Sequence, residues 1–146
     1  MSLPLSWFLG FPQYQSRLYQ EKIEKITTEI ENVCIGADVI VGFPGETDEE
    51  FNKTFNFIKT LPISYLHVFS YSERENTLAI NMENKIPKQT KKERSEKLRI
   101  LSKKLQRAFY QKNLNTMHYA LFEQKNVDGM LYGFTDNYIK VKVPFH

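Results

Sequence analysis

The chain has 146 residues, of which 41% are hydrophobic and 25% charged, and its net charge is +3. This composition is typical of a globular protein and excludes a collagen-like chain or a disulfide scaffold. No apolar run approaches the roughly 20 residues that a membrane-spanning helix needs. The opening residues lack the basic start and long apolar stretch of a signal peptide, so the sequence predicts a cytoplasmic protein with no membrane partner.

The chain contains a single cysteine, Cys34, and three widely separated histidines. One thiol excludes an internal disulfide, a four-cysteine zinc site and a cysteine-ligated iron–sulfur cluster, which needs about three or four thiolates. No two histidines have the i, i+4 spacing of a helical zinc site. The sequence therefore predicts no metal site in this chain and a cysteine that serves as a small buried hydrophobic residue.

The first half of the chain predicts alternating helices and strands. Apolar residues at helical spacing predict an amphipathic helix over 16–33, and a short β-branched run predicts a strand over 37–42 that is buried on both faces. Thr47 and Glu50 form a capping-box pattern that predicts the start of a second helix. Residues 65–69 predict the next strand. Strand, helix and strand predict a parallel sheet in an α/β fold, of which two strands are only a part.

A strongly basic segment follows. Residues 85–112 contain 11 basic and 2 acidic side chains, whereas the residues before them are net acidic. Thr90 and Glu93 form a second capping-box pattern, which predicts a helix from residue 91 onward. The excess positive charge is a plausible footprint for a polyanion, and a solvated connecting helix rich in lysine explains it equally well.

The last part of the chain predicts a small antiparallel sheet. Alternating apolar and polar residues predict strands over 118–123, 129–134 and 138–143. Asp136 and Asn137 both tolerate positive φ, and they predict the hairpin turn between the last two strands. Three strands are the beginning of a small β-barrel rather than a complete one.

Two loops follow the predicted parallel strands. Gly42 and Gly45 lie past the carboxyl end of the first strand, where α/β folds place their ligand sites. The acidic residues 46 and 48–50 would repel a phosphate and are better explained as partners of the helix dipole. Ser72 and Arg74 follow the second strand and would place donors at the same edge. Taken singly, a tight βα turn and an exposed polar loop explain these segments without a ligand.

Together the segments resemble one family. Residues 38–47 (DVIVGFPGET) and residues 69–79 (FSYSERENTLA) are similar to two motifs of the radical S-adenosylmethionine methylthiotransferases, above all the tRNA threonylcarbamoyladenosine branch. Residues 133–143 (GFTDNYIKVKV) resemble the start of that family's carboxyl-terminal TRAM domain, a small RNA-binding β-barrel.

The resemblance implies a division of the chain into two parts. Residues 1–113 would be the carboxyl-terminal part of a radical S-adenosylmethionine barrel, which is TIM-like, with the basic connecting helix over 85–112. Residues 114–146 would form an incomplete TRAM-like β domain. The fold class implied is thus α/β, with a parallel βαβ unit followed by a small antiparallel portion.

The resemblance also implies a cofactor site. Ile40 and Gly42 would line the adenine end of bound S-adenosylmethionine, and Gly45 would belong to the same site. Ser72 and Arg74 would lie at the mouth of the barrel, near cofactor and substrate.

A second set of residues would contact tRNA, the implied partner. Tyr138, Lys140 and Lys142 match the strand of the TRAM domain that is associated with RNA contact. The chemistry agrees, because lysine neutralises phosphates and tyrosine stacks on unpaired bases.

The chain departs from the family in one important respect. The Cys-x-x-x-Cys-x-x-Cys motif that holds the radical-generating [4Fe–4S] cluster is absent, as is the amino-terminal domain with a second cluster. The sequence therefore predicts a fragment that has no catalytic residue of its own and is inactive by itself. The intact enzyme would use S-adenosylmethionine and [4Fe–4S] clusters, and the missing upstream part is an expected partner.

Three functions remain open from the sequence. The first is a fragment of an enzyme that adds a methylthio group to threonylcarbamoyladenosine near the anticodon of tRNA. The second is a non-catalytic RNA-binding module derived from that family. The third is a small α/β enzyme that uses the loop over 42–45 for another nucleotide, which the acidic flank of that loop disfavours.

Overall fold

A computed structural model describes residues 12–73, 77 and 81–145. The elements are helix α1 (Pro12–Glu29), strand β1 (Gly36–Val41), helix α2 (Asp48–Thr60), strand β2 (Tyr65–Ser70), helix α3 (Lys88–Lys112) and strands β3 (Ala120–Val127), β4 (Met130–Thr135) and β5 (Lys140–Pro144). Strands β1 and β2 form one sheet, and β3, β4 and β5 form a second sheet in that order. The mixed α/β class predicted from the sequence is confirmed.

The first sheet is parallel, as the strand–helix–strand pattern predicts. Gly36 lies opposite Tyr65 and Val41 opposite Ser70, so that β1 and β2 have equal length and end together. The amide of Tyr71 donates to the carbonyl of Val41 at 2.8 Å and extends the pairing beyond β2. The loops that follow the two strands therefore begin at the same edge of the sheet.

The core lies between this sheet and the helices. It consists of buried apolar side chains from α1, β1, α2, the segment that includes β2, and α3, namely Ile23, Val39, Val41, Phe51, Ile58, Leu61, Ile63, Leu66, Leu98 and Leu101. Strand β1 contributes Val39 and Val41 from one face, while Asp38 is exposed and Ile40 is half-buried. The prediction of a strand buried on both faces is wrong, because the described chain covers only one face completely.

Helix α2 begins as the capping-box pattern predicts. Thr47 Oγ1 accepts a hydrogen bond from the Glu50 amide at 3.2 Å, and the Glu50 carboxylate accepts one from the Thr47 amide at 2.8 Å. Phe51 and Ile58 are buried on the inner face of this helix.

Helix α3 starts earlier than predicted. It begins at Lys88, directly after Pro87, which has φ −57°, and Thr90 lies inside its first turn. The capping box at Thr90 and Glu93 is therefore wrong: Pro87 already holds a helix-compatible φ and starts the helix. The helix lies along β2, where Ser102 Oγ accepts from the Leu66 amide at 2.9 Å and donates to the Leu66 carbonyl at 3.1 Å.

Helix α1 is displaced from its predicted range of 16–33. It ends at Glu29, and the chain turns at Asn32, which has φ +55°. Of the predicted apolar stripe Ile23 is buried, whereas Ile26 and Ile30, the latter just after the helix, are exposed by 38% and 54%. The helix is thus amphipathic as predicted, but the described residues cover its apolar face only in part.

The second sheet is antiparallel and consists of two hairpins. Asp128 and Gly129, both with positive φ, connect β3 to β4, and an irregularity between Phe122 and Asn126 interrupts that pairing. Strand β3 spans 120–127 rather than the predicted 118–123, since pairing with β4 resumes beyond the irregularity.

The second hairpin turns at Asp136 and Asn137, as predicted. The residue with positive φ is Tyr138 at +63°, however, and β5 begins only at Lys140. The prediction that Tyr138 belongs to the strand is wrong. The left-handed backbone at Tyr138 takes this side chain out of the alternation that Lys140 and Lys142 follow.

Candidate functional site

The loop after β1 uses its own amides for internal hydrogen bonds. Gly42 and Gly45 have φ of +77° and +86°. The Gly42 amide donates to the Glu46 carboxylate at 2.8 Å, the Gly45 amide to the Asn84 carbonyl at 3.0 Å, and the Glu46 amide to the Phe43 carbonyl at 3.0 Å. Amides that are paired in this way are not available to a phosphate, which agrees with the prediction that this is not a phosphate-binding loop.

Glu46 is buried rather than exposed at a helix end. Arg94 of α3 donates through Nη1 to Glu46 Oε2 at 2.5 Å and to the Glu46 carbonyl at 3.0 Å. Its Nη2 donates to Asp48 Oδ1 at 2.7 Å, and its guanidinium lies 5.4 Å from the centre of the Phe51 ring. The interpretation of Glu46 as a dipole partner is therefore corrected: its carboxylate joins the loop to α3.

The charges of this cluster shift the pKa values of its members. Burial by itself would lower the pKa of Arg94, but hydrogen bonds to Asp48 and Glu46 outweigh burial and raise it. The same guanidinium lowers the pKa of Asp48 through a hydrogen bond and through its charge. Sequence reasoning missed the cluster, since Glu46 and Arg94 are 48 positions apart and no local spacing connects them.

A second basic residue of α3 also supports the loop. The Lys91 ammonium donates to the Tyr71 carbonyl at 3.1 Å and lies 5.2 Å from the centre of the Tyr71 ring. Its aliphatic chain occupies the position that a Cβ at Gly42 would need. Lys91 and Arg94 therefore stabilise the fold. At least these two basic residues of α3 have a structural role, so not all of the positive charge on the helix indicates a ligand.

The edge where β1 and β2 end brings two of the sequence-predicted residues together. Gly42 and Ser72 both follow directly from this edge, and the rings of Phe43 and Tyr71 pack edge-on with centres 5.0 Å apart. Gly45 borders open space, with no atom within 4 Å of the position of a Cβ. Ser72 is exposed, and Arg74 lies outside the described residues.

A cleft of about 450 Å³ opens beside this edge, between the end of β2 and the first half of α3. Four of the nine residues that line it are basic and one is acidic; the lining consists of Ser70, Tyr71, Ser72, Glu73, Lys88, Lys91, Lys92, Ser95 and Arg99. The sequence indicated the charge of α3 but not this open cleft, which depends on the packing of the helix against β2.

One face of the second sheet combines basic and aromatic residues. Lys140 pairs with Phe134 and Lys142 with Tyr132 across β4 and β5. The Lys140 ammonium lies 5.5 Å from the centre of the Tyr132 ring, and Phe134 is 44% exposed. Sequence reasoning missed Tyr132 and Phe134, which the register of the predicted hairpin would have placed opposite the lysines. Tyr138 is 79% exposed but precedes the strand.

Comparison with known proteins gives the family. No protein-family model matches the chain. Threonylcarbamoyladenosine tRNA methylthiotransferase MtaB of Bacillus subtilis is 37% identical over 133 residues, covering 88% of this chain and 30% of MtaB. MtaB of Aquifex aeolicus is 40% identical over 129 residues with the same coverage. The chain belongs to the radical S-adenosylmethionine methylthiotransferase family.

Other methylthiotransferases match less of the chain. Ribosomal protein uS12 methylthiotransferase RimO of Alkaliphilus oremlandii is 36% identical over 110 residues, which is 75% of this chain and 25% of RimO. The chain thus spans less than a third of the length of these relatives. The family resemblance seen in the sequence is confirmed, and the intact methylthiotransferases of this family use S-adenosylmethionine and iron–sulfur clusters.

The residues of this methylthiotransferase segment do not fit an iron–sulfur cluster. Cys34, its single cysteine, is half-buried rather than fully buried as predicted, and burial raises the pKa of its thiol although a hydrogen bond with Ser64 opposes this. A cluster ligand requires the opposite, a stabilised thiolate. Within residues 12–73, 77 and 81–145, no group of three His, Cys, Asp or Glu side chains could hold a metal ion. The helices described in these ranges include none that could cross a membrane.

Proposed function

We propose that this chain forms one wall of the S-adenosylmethionine site and part of the tRNA-binding surface of a methylthiotransferase that acts on threonylcarbamoyladenosine in tRNA. The observation that carries the proposal is the common edge of β1 and β2. Both family motifs run through that edge, where Val41 is paired with Ser70. The tRNA nucleoside is taken from the names of the MtaB relatives, which cover 88% of the chain.

The cofactor wall consists of Ile40, Gly42, Gly45 and Ser72, with Arg74 added from the sequence. Ile40 offers a half-buried apolar side chain, and the space beside Gly45 is open. Gly42 holds the turn, since its φ of +77° and the packing of Lys91 leave no room for a side chain. Bound S-adenosylmethionine supplies the radical chemistry in the intact enzyme, and these residues would bind and orient it.

The RNA surface consists of Lys140 and Lys142 together with Tyr138. Lysines on one sheet face neutralise phosphates, and exposed aromatic rings beside them offer stacking partners. Phe134 and Tyr132 extend this surface across β4. We assign this sheet to a TRAM-like unit over 114–146 and the preceding residues 1–113 to part of the radical S-adenosylmethionine barrel.

The chain by itself is proposed to be inactive. A single thiol cannot replace the three that hold a [4Fe–4S] cluster, so activity needs an upstream part as partner. We also propose that the protein acts in the cytoplasm, on tRNA. Reconstitution with iron and sulfide tests the first point: we expect no stoichiometric cluster, and about four irons per chain would overturn it.

A chimera tests the function in an intact enzyme. The segment of Bacillus subtilis MtaB that aligns with this chain is replaced by the corresponding residues of this chain. We expect the chimera to restore the methylthio group on threonylcarbamoyladenosine in a strain without its own MtaB, measured by mass spectrometry of tRNA nucleosides. A chimera that accumulates normally and yields no product contradicts the proposal.

A non-catalytic RNA-binding module is the second candidate. The exposed lysines of β5 and the basic helix α3 favour it, because they need no cofactor. Titration of the chain with S-adenosylmethionine and with tRNA separates the two candidates. Salt-dependent binding of tRNA without affinity for S-adenosylmethionine, combined with an inactive chimera, would favour the module.

A further inference from the structure

We propose that the cleft between β2 and α3 is a binding site for backbone phosphates of the RNA substrate. This inference rests on the proposed function, since it takes RNA as the ligand. It adds a second contact site, separate from the lysines of β5, and names the residues that form it. The acceptor is a phosphodiester oxygen, and the donors are Lys88, Lys92 and Arg99.

The three donors form one stripe on α3. At 100° per residue, positions 88, 92 and 99 fall within about 40° of one another around the helix axis. All three side chains line the cleft and are exposed. In the part of the chain that the structure describes, none of them forms an ion pair or a hydrogen bond with an acid. No described acid engages these three groups, whereas Lys91 is held by the Tyr71 carbonyl and Arg94 by Glu46 and Asp48.

The cleft contains few competing negative charges. Glu73 is the acidic residue in its lining, and the Lys85 ammonium neutralises it at 3.0 Å. Ser72 adds an exposed hydroxyl donor. The hydroxyl groups of Ser70 and Ser95 form a hydrogen bond with each other at 2.8 Å, so these residues form part of the cleft wall and do not contact the phosphate. A positive cleft with a hydroxyl group at its rim suits a tetrahedral oxyanion.

The position of the cleft favours a long polyanion over a small phosphate compound. Helix α3 has 25 residues and is therefore about 37 Å long. The cleft lies along its first half, while its end is joined to the second sheet through Asn113, whose side-chain oxygen accepts from Asn137 at 2.9 Å. A ligand that contacts both the cleft and the β5 lysines must extend along the helix, as an RNA backbone does.

The test compares two double variants with equal loss of charge. Lys88→Gln/Lys92→Gln removes two cleft charges, and Lys104→Gln/Lys112→Gln removes two exposed charges that lie about 140° away around the same helix. Binding of an unmodified tRNA transcript to the full chain is measured from 50 to 200 mM salt. We expect the cleft variant to lose about tenfold or more in affinity and about two units of salt slope, and the control to stay within about twofold.

Three outcomes would overturn the inference. The first is an equal loss in both variants, which would show that only total charge matters. The second is an unchanged affinity of the cleft variant at an unchanged melting temperature. The third is binding of anionic phospholipid vesicles that depends on Lys88 and Lys92 while tRNA binding does not.

Failure of the cleft can be told apart from failure of the proposed function. If only the cleft is wrong, Lys140→Gln/Lys142→Gln still weakens tRNA binding and the chimera remains active. If the unchanged chain does not bind tRNA and the chimera yields no product, the proposed function and the cleft fail together.

Discussion

Glu46 and Arg94 form a buried ion pair that joins the loop after β1 to helix α3. The guanidinium contacts both the carboxylate and the backbone carbonyl of Glu46, and the side chains of both residues are only 6% exposed. The same carboxylate accepts the Gly42 amide at 2.8 Å. One charged pair thus positions the glycine turn that the proposed function assigns to S-adenosylmethionine.

Loss of the guanidinium should destabilise the fold strongly. Arg94→Met leaves the Glu46 carboxylate buried without its partner, and we expect the free energy of unfolding to fall by about 3–5 kcal/mol. The measurement is urea denaturation followed by circular dichroism. Arg107→Met, an exposed residue of the same helix, is the matched control and should change stability by less than about 0.5 kcal/mol.

A second variant separates the buried charge from simple packing. Arg94→Met/Glu46→Gln removes both charges but keeps an oxygen that can accept the Gly42 amide, and we expect it to be more stable than Arg94→Met alone because no charge is left buried. Equal stability of the single and double variants would show that the ion pair is not the cause of the loss.

Alanine at Gly42 should cost more than alanine at Gly45. Both residues have positive φ, which costs about 1–2 kcal/mol for a residue with a side chain. A Cβ at Gly42 would also collide with the aliphatic chain of Lys91, whereas Gly45 borders open space. Thermal unfolding of the two variants measures the difference. A double-mutant cycle tests the collision. If the effects of Gly42→Ala and Lys91→Ala on stability simply add in the double variant, the added methyl group does not collide with Lys91.

A side chain at Gly133 should destabilise the second sheet. A Cβ there would meet the backbone carbonyl of Leu121, which belongs to the paired strand and cannot move aside. We expect Gly133→Ala to cost about 1–3 kcal/mol and to increase amide hydrogen exchange in β3 and β4. Gly129→Ala has strained φ of +72° but open space, and should cost about 1 kcal/mol. The reverse order of the two effects would contradict this packing.

The contact between Asp48 and Arg94 should make stability depend on acid pH. Because the guanidinium lowers the pKa of Asp48 below its usual 3.8, the ionised carboxylate favours the folded state. Its contribution is fully present above the unfolded value of 3.8 and is lost as the pH falls through the lower folded pKa. The melting temperature of Asp48→Asn should therefore lie below that of the unchanged chain at pH 6, and the two should converge as the pH falls through the folded pKa of Asp48.

The control for this prediction is the same substitution in a variant that lacks Arg94, the ion-pair partner of Asp48. In Arg94→Met, the substitution Asp48→Asn should have a much smaller pH-dependent effect, since the two largest causes of the lowered pKa, the hydrogen bond and the charge of Arg94, are gone and only the weaker effect of the Lys97 charge remains. A pH dependence that survives undiminished in this variant would assign the shift to another group.

Elements that depend on short-range patterns were predictable. Thr47 and Glu50 are three residues apart, and their reciprocal hydrogen bonds need nothing beyond a helix start. The parallel pairing of β1 and β2 follows from the short helical crossover between them. The turn at Asp136 and Asn137 was predicted at the correct place. Thr90 shows the limit of such patterns. The capping-box pattern placed the start of α3 after Thr90, but the helix already starts after Pro87.

The site depended on contacts that no local pattern encodes. Acidic residues next to a helix start suggest dipole partners, but Glu46 is buried because α3 packs against the loop and brings Arg94 to it. The cleft exists for the same reason, since its two walls come from β2 and α3. Tyr138 lies outside β5 because the hairpin needs one residue with positive φ before that strand.

The amino-acid sequence by itself determined the order of helices and strands, the family, and the concentration of positive charge on one helix, because these depend on residue type and on spacing along the chain. Only the tertiary structure decided which of those charges stabilise the fold and which are exposed along the cleft. Lys91 and Arg94 lie among the same basic residues as Lys88 and Lys92, yet the Tyr71 carbonyl and Glu46 hold the first two, whereas the side chains of the other two are exposed along the cleft. That difference arises from the angle at which each residue leaves the helix once α3 is packed against β2.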